Sequence, residues 1–78
     1  SKGRALQETA EKAGVPLAEV IAIGDSENDL SMIQAAGLGV AVANAQEHVK
    51  AAADYVTETT CEQDAVADVL QRFVLDEK

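Results

Sequence analysis

Three polar side chains, Asp25, Asn28 and Asp29, directly follow an apolar run and could together bind a cation. That run, residues 20–23, has the composition of a buried parallel strand, and Gly24 ends it. Ligands of open α/β sheets bind at the carboxyl ends of the strands, which is where these side chains would stand. Mg²⁺ prefers oxygen ligands and is commonly bound by one or two carboxylates together with a substrate phosphate. The spacing therefore predicts a magnesium and phosphate site beside the free N–H groups of the following helix.

The same acidic cluster also permits a purely structural interpretation. Ser26 or Asp25 could cap the helix, and Asp29 could improve the interaction with the helix dipole. A calcium-binding EF-hand loop is excluded because Leu30 stands where such a loop requires glycine. Gly37 and Gly39 form half of a dinucleotide-binding fingerprint, but they precede a strand instead of following one, so that interpretation is rejected.

Helical and strand patterns alternate along the chain in the order α-β-α-β-α-β-α. Helices are predicted over residues 3–13, about 27–36, 46–53 and from 60 onwards. Strands are predicted over residues 20–23, 38–43 and 54–57. This alternation indicates an α/β fold with a parallel sheet, right-handed crossovers and the three layers of a Rossmann-like domain.

Local signals set the expected ends of these helices. Gly14 is expected to end the first helix in a left-handed conformation, and Pro16 to open a short helical turn. Two capping boxes are predicted, one formed by Asn44 with Glu47 and the other by Thr60 with Gln63.

The last helix shows the clearest apolar periodicity in the chain. We expect one of its faces to be buried, and the stripe consists of Ala65, Val66, Val69, Leu70, Phe73 and Val74. Asp64 and Asp68 are expected on its solvent-exposed face, and residues 76–78 are expected to fray.

Composition narrows the class of protein. The 78 residues make one small domain or part of one, and a net charge of −8 argues against nucleic acid as a partner. Neither a membrane span nor a signal peptide is expected, because no apolar run approaches about 20 residues and the first segment is polar. The single cysteine, Cys61, fits a reducing compartment, so a cytoplasmic location is predicted. The sequence assigns no role to Cys61 or His48.

Several segments together resemble one known family. The string GDSENDLSM at residues 24–32 resembles the fourth motif of the haloacid dehalogenase superfamily, in the form found in Cof-type sugar phosphatases. KGRAL at residues 2–6 resembles the third motif, and AGLGVAVANA at residues 36–45 resembles the segment after the fourth. The likeness covers residues 2 to about 75. Its departures are Ser26 and Glu27, where glycine is frequent, and Val42 and Ala43, where Met-Gly is common.

This resemblance implies a Mg²⁺-dependent phosphatase that acts on a small phosphorylated metabolite such as a sugar phosphate. It implies a metal site at Asp25 and Asp29, in which Asp25 ligates Mg²⁺ and Asp29 supports it through water or by holding Lys2. Lys2 would neutralise charge on the nucleophile and on the transferring phosphoryl group, and Asn28 would contact phosphate or orient the lysine. Such roles suit phosphoryl transfer, which depends on positioning and charge neutralisation.

Several features of the family have no counterpart in residues 1–78. The family's Asp-x-Asp nucleophile pair has no counterpart, because no two aspartates lie two residues apart, and the second motif and cap domain are also missing. Residues 1–78 are therefore expected to form the C-terminal half of a catalytic core that does not turn over alone. One alternative is a non-catalytic binding or assembly module that self-associates through an open strand edge. A receiver-like phospho-acceptor domain is a weaker alternative, because no separate acceptor aspartate accompanies the cluster.

Overall fold

Three parallel strands form one sheet in a computed structural model that describes residues 1–75. The strands are Ile21–Gly24 (β1), Leu38–Ala41 (β2) and Tyr55–Val56 (β3). The α-helices are Lys2–Ala13 (α1), Glu27–Ala35 (α2), Glu47–Ala52 (α3) and Glu62–Val69 (α4). A 3₁₀ turn spans Leu17–Glu19, and a π-helical segment, Leu70–Leu75, continues α4. The predicted order and the predicted α/β class are therefore confirmed.

The strand order is β1-β2-β3, with every pair parallel. Ile21 of β1 pairs with Leu38 of β2, and the register continues to Gly24 opposite Ala41. No strand of residues 1–75 pairs with the outer edge of β1. The carboxyl ends of β1 and β2 consequently lie side by side, as the predicted site requires.

Helices cover the sheet and complete the Rossmann-like layering. Helix α2 contacts β1 and β2, α1 packs on α2, and α4 contacts β1. The buried core is built mainly from small aliphatic side chains, in agreement with the composition. One cluster of buried residues within it consists of Ile33, Ala41, Val42, Ala45, Val49 and Ala65.

Of the predicted helix ends, the one at Gly14 is confirmed and the two capping boxes are wrong. Gly14 adopts the left-handed conformation, with φ of 73°. Helix α3 begins after Gln46, because Ala45 N–H donates to the Val42 carbonyl and this turn places Asn44 before the helix. Helix α4 begins after Cys61, whose N–H donates to the Thr59 hydroxyl at 3.2 Å.

The prediction of a buried apolar stripe on the last helix is correct for only two of its six residues. Ala65 and Val69 are buried, whereas Val66, Leu70, Phe73 and Val74 remain exposed among the described residues. The regular α-helix ends at Val69, and the wider π-helical turns that follow change the direction of the later side chains. The expected fraying of residues 76–78 lies outside the described residues.

Asp68 does not lie on a fully exposed face. Its carboxylate accepts a hydrogen bond from the Tyr55 hydroxyl at 2.9 Å and pairs with Arg72 Nε at 2.8 Å. The Tyr55 ring also contacts Phe73 edge to face, with 5.2 Å between the ring centroids. Asp68 therefore links the last helix to β3, whereas Asp64 is exposed as predicted.

Across residues 1–75, no helix has the length and apolar character needed to cross a membrane. Cys61 is an exposed free thiol.

Candidate metal and phosphate site

Strand β1 ends in a loop that backbone hydrogen bonds attach to the neighbouring strand and helix. The carbonyl of Gly24 accepts a hydrogen bond from Val42 N–H at 3.2 Å, just beyond the end of β2. The carbonyl of Asp25 accepts one from Gln46 N–H, also at 3.2 Å. The chain segment after β2 thus supports the acidic loop from one side.

Asp29 organises this loop from the first turn of α2. Its Oδ2 atom accepts hydrogen bonds from Asp25 N–H at 3.0 Å and Ser26 N–H at 3.3 Å, while Asp29 N–H donates to the Ser26 carbonyl. The residue is only 7% exposed. The structural interpretation, in which the acidic cluster caps the helix, is therefore correct for Ser26 with Asp29.

Lys2 reaches the same carboxylate from the first turn of α1. Its Nζ lies 2.6 Å from Asp29 Oδ1. Burial alone would raise the pKa of Asp29, but the hydrogen bonds from Lys2 and from the backbone N–H groups outweigh burial and hold that pKa below 3.8. The hydrogen bond to Asp29, together with the carboxylate's charge, raises the pKa of Lys2 above 10.5. Both groups are charged at neutral pH.

Two glycines make the contact between Lys2 and Asp29 possible. A Cβ at Gly24 would overlap the Asp29 side chain, so this position needs a residue without one. A Cβ at Gly3 would lie 2.6 Å from the Ser31 carbonyl oxygen, and Gly3 N–H donates to Ser31 Oγ at 2.9 Å. Helix α1 can therefore approach α2 closely enough for its lysine to reach the buried carboxylate.

Asp25 and Asn28 present a different environment. Both residues are exposed. Within residues 1–75, neither side chain makes a hydrogen bond or an ion pair with another residue. Their polar atoms are consequently available to a ligand, in contrast to the engaged oxygens of Asp29.

The donor set fits part of a Mg²⁺ site. No group of three or more His, Cys, Asp or Glu side chains in the described part of the chain is arranged to hold a metal ion. Mg²⁺ keeps several waters, however, and is commonly bound through one or two carboxylates plus phosphate oxygens. The free carboxylate of Asp25 suits one such position, while the carboxylate of Asp29 is already occupied by Lys2 and backbone N–H groups.

Residue patterns in the sequence do not show that the start of α3 contacts the first turn of α2. Gln46 Oε1 accepts a hydrogen bond from Glu27 N–H at 3.0 Å, and His48 Nε2 lies 3.5 Å from Glu27 Oε1. These contacts join residues about 20 positions apart, so no local spacing signals them. The sequence predicts that α3 starts after residue 45, but it does not predict the contacts of Gln46 and His48 with Glu27.

A surface cavity of about 460 Å³ lies next to this region without including it. Its lining residues are Ser1, Gly3, Arg4, Gln7, Ser31 and Ala35. Asp25 and Asn28 do not line this cavity. The candidate site is therefore the exposed loop at the end of β1 and not the cavity.

The sequence places this fold and site in a known family. Residues 1–70 match the sequence profile of the haloacid dehalogenase-like hydrolases, and the chain belongs to that family. A 5-amino-6-(5-phospho-D-ribitylamino)uracil phosphatase of Bacillus subtilis is 49% identical over 75 residues, which are 96% of this chain and 30% of the relative. The resemblance found in the sequence motifs is thereby confirmed.

Solved structures agree with this assignment. A subclass IIB sugar phosphatase of the same superfamily superimposes with a TM-score of 0.85 at 38% identity, covering 94% of this chain and 28% of its own. A 3-deoxy-D-manno-octulosonate 8-phosphate phosphatase from Moraxella catarrhalis, crystallised with magnesium and phosphate ions, gives a TM-score of 0.77 at 30% identity. It covers 90% of this chain and 42% of its own. The chain thus spans less than half of each of these three proteins.

Proposed function

We propose that this chain supplies the metal- and phosphate-binding half of a Mg²⁺-dependent phosphatase that hydrolyses a small phosphorylated metabolite. The observation that carries the proposal is the exposed Asp25 carboxylate at the end of β1, which makes no hydrogen bond or ion pair in residues 1–75 and lies next to the Lys2–Asp29 pair. The three similar proteins described above are all phosphatases, and their names describe phosphorylated sugars or sugar-like compounds as substrates. These names support the substrate class.

Each side chain has a distinct part in this proposal. Asp25 would hold the metal ion, which when bound supplies positive charge to phosphoryl oxygens. Lys2 provides a second positive charge, and Asp29 fixes its position through the 2.6 Å contact. The Asn28 amide can donate a hydrogen bond to phosphate. Because no Asp-x-Asp pair occurs in residues 1–78, the proposal assigns the nucleophile to a segment outside them.

Metal binding can be tested on the 78-residue chain itself. Mg²⁺ titration followed by ¹H–¹⁵N NMR should shift the amide signals of residues 25–29, and Mn²⁺ should broaden the same signals. Asp25→Asn should abolish both effects because it removes the anionic ligand. Asp64→Asn is the matched control, since it makes the same chemical change at an exposed position on α4. Equal responses of Asp25→Asn and wild type would remove Asp25 from the metal site.

Catalysis can be tested in a chimera. The matched 75-residue segment of the Bacillus subtilis relative would be replaced by the corresponding segment of this chain. The chimera should retain Mg²⁺-dependent phosphatase activity, and Asp25→Asn should reduce kcat/KM at least about 100-fold, as expected for loss of a group that supports transition-state charge. The Asp64→Asn chimera should match the unmodified one. A folded chimera in which Asp25→Asn retains full activity would refute the proposal.

The same experiments separate the phosphatase from the alternative of a non-catalytic assembly module. That alternative predicts no signal changes specific to residues 25–29 on adding Mg²⁺. It also predicts self-association through the open edge of β1, which sedimentation analysis of the 78-residue chain measures directly.

A further inference from the structure

Gln46 contacts both ends of the loop that carries Asp25. Its backbone N–H donates to the Asp25 carbonyl at 3.2 Å, and its side-chain Oε1 accepts from Glu27 N–H at 3.0 Å. The residues on either side of Ser26 are therefore attached to the same glutamine. Gln46 lies 19 positions beyond Glu27 in sequence, so these contacts connect separate elements.

Three successive backbone N–H groups of this loop donate hydrogen bonds to side-chain oxygens. Asp29 accepts the hydrogen bonds from Asp25 and Ser26, and Gln46 accepts the one from Glu27, the first residue of α2. An N–H group at the start of a helix has no partner within the helix, so a fixed acceptor there restricts the loop conformation.

The backbone of Gln46 is anchored at the start of α3, while the residue itself is exposed. Its carbonyl accepts hydrogen bonds from Val49 N–H and Lys50 N–H, both at 3.0 Å, at the beginning of α3. Val49 is fully buried in the core. The glutamine thus connects the acidic loop to a helix whose position is set by core packing.

We propose that Gln46 is a positioning residue that holds the Asp25 loop in its cation-binding conformation. This inference rests on the proposed function. Without the side-chain acceptor, the loop would populate other conformations, and the apparent affinity for Mg²⁺ would fall in proportion to the fraction of molecules that remain binding-competent. The metal-saturated rate in the chimera would change little, because Gln46 touches neither metal nor substrate in this assignment.

Three variants test this role in the 78-residue chain and in the chimera. Gln46→Met removes the acceptor at similar size, and Gln46→Glu keeps an acceptor oxygen. Gln34→Met is the matched control, because Gln34 is exposed on α2 and lies outside the loop. The readouts are amide hydrogen exchange at Glu27 without metal, the Mg²⁺ concentration at half saturation, and kcat at saturating Mg²⁺.

Gln46→Met should accelerate exchange at Glu27 and raise the half-saturating Mg²⁺ concentration about fivefold, as expected for the loss of one hydrogen bond. The kcat at saturating Mg²⁺ should stay within about twofold of the parent chimera, by the positioning argument. Gln46→Glu should restore slow exchange, and Gln34→Met should resemble the unmodified protein.

Unchanged exchange at Glu27 in Gln46→Met would overturn the inference, as would faster exchange with unchanged Mg²⁺ dependence. A loss of kcat at saturating Mg²⁺ would equally contradict a positioning role. If Asp25→Asn also leaves Mg²⁺ dependence unchanged, the proposed function itself fails, and the exchange data still show whether Gln46 restrains the loop.

Discussion

Replacing Asp29 with alanine should destabilise the fold by about 3 kcal/mol, whereas Lys2→Met should destabilise it much less. The two residues form one ion pair, with 2.6 Å between Lys2 Nζ and Asp29 Oδ1. They differ in what else they do. Asp29 also accepts the backbone N–H groups of Asp25 and Ser26, whereas the Lys2 side chain is 55% exposed to solvent.

These magnitudes follow from the contacts that each substitution removes. A hydrogen bond to a charged group contributes about 1.5–3 kcal/mol, and Asp29→Ala leaves two backbone donors without their carboxylate acceptor. Both donors lie near the surface, so water recovers part of the loss and the total stays near about 3 kcal/mol. The side chain of Lys2 is about half exposed, so water screens its charge and limits the stability that the ion pair contributes.

Urea unfolding of the 78-residue chain at neutral pH measures the difference. A domain of this size has a total stability of about 4–12 kcal/mol, so Asp29→Ala should lower the transition midpoint strongly and leave a measurable transition. Asp64→Ala is the control for loss of an exposed acid and should cost less than about 1 kcal/mol. Equal destabilisation by Lys2→Met and Asp29→Ala would refute the reasoning, because the ion pair would then be the dominant contact.

The folded protein holds the pKa of Asp29 below its ordinary value, so the ionised carboxylate stabilises the fold at neutral pH and this stabilisation is lost as the pH falls through the folded-state pKa. Urea unfolding from about pH 6 to about pH 2.5 should show this loss of stability. Asp29→Asn should make the stability less dependent on pH over the same range. Gly24→Ala should cost about 1–3 kcal/mol in the same assay because the new Cβ displaces Asp29, and an unchanged midpoint would contradict the overlap. Tyr55→Phe should lower the melting temperature by no more than about 8 °C, because Asp68 keeps its ion pair with Arg72 and loses one hydrogen bond. A larger decrease in calorimetry would mean that the Tyr55 hydroxyl has a greater structural role.

The elements of the fold were predictable because their signals are local. The apolar runs before Gly24 and before Asn44 indicate two buried strands, and Gly14 indicates a helix end through its tolerance of the left-handed conformation. The failed capping boxes show the limit of the same method. Asn44 has the right spacing from Glu47, but a backbone hydrogen bond from Ala45 to Val42 forms a turn there and moves the helix start forward.

The sequence pattern also singles out Asp25 and Asp29 as candidate site residues, but it does not show how their environments differ. Asp25 and Asp29 are the same residue type, four positions apart, and sequence patterns treat them alike. Their environments differ because β1 ends at Gly24, which leaves Asp25 in the loop while the first turn of α2 carries Asp29 under that loop. Only the folded chain shows that Lys2, distant in sequence, occupies one oxygen of Asp29.

The different environments of Asp25 and Asp29 would affect how the proposed site binds an anion. Asp29 uses its two oxygens for Lys2 and for backbone N–H groups, so its negative charge is largely compensated within the fold. Lys2 is held at one point but keeps 55% of its side-chain surface exposed, so its remaining protons can meet a ligand. A phosphate arriving beside Asp25 would therefore encounter a cation whose position is already fixed, and less binding energy would be spent on ordering a flexible lysine. In the proposed function, the buried aspartate orients the lysine and the loop, while the exposed aspartate is left free to bind the metal.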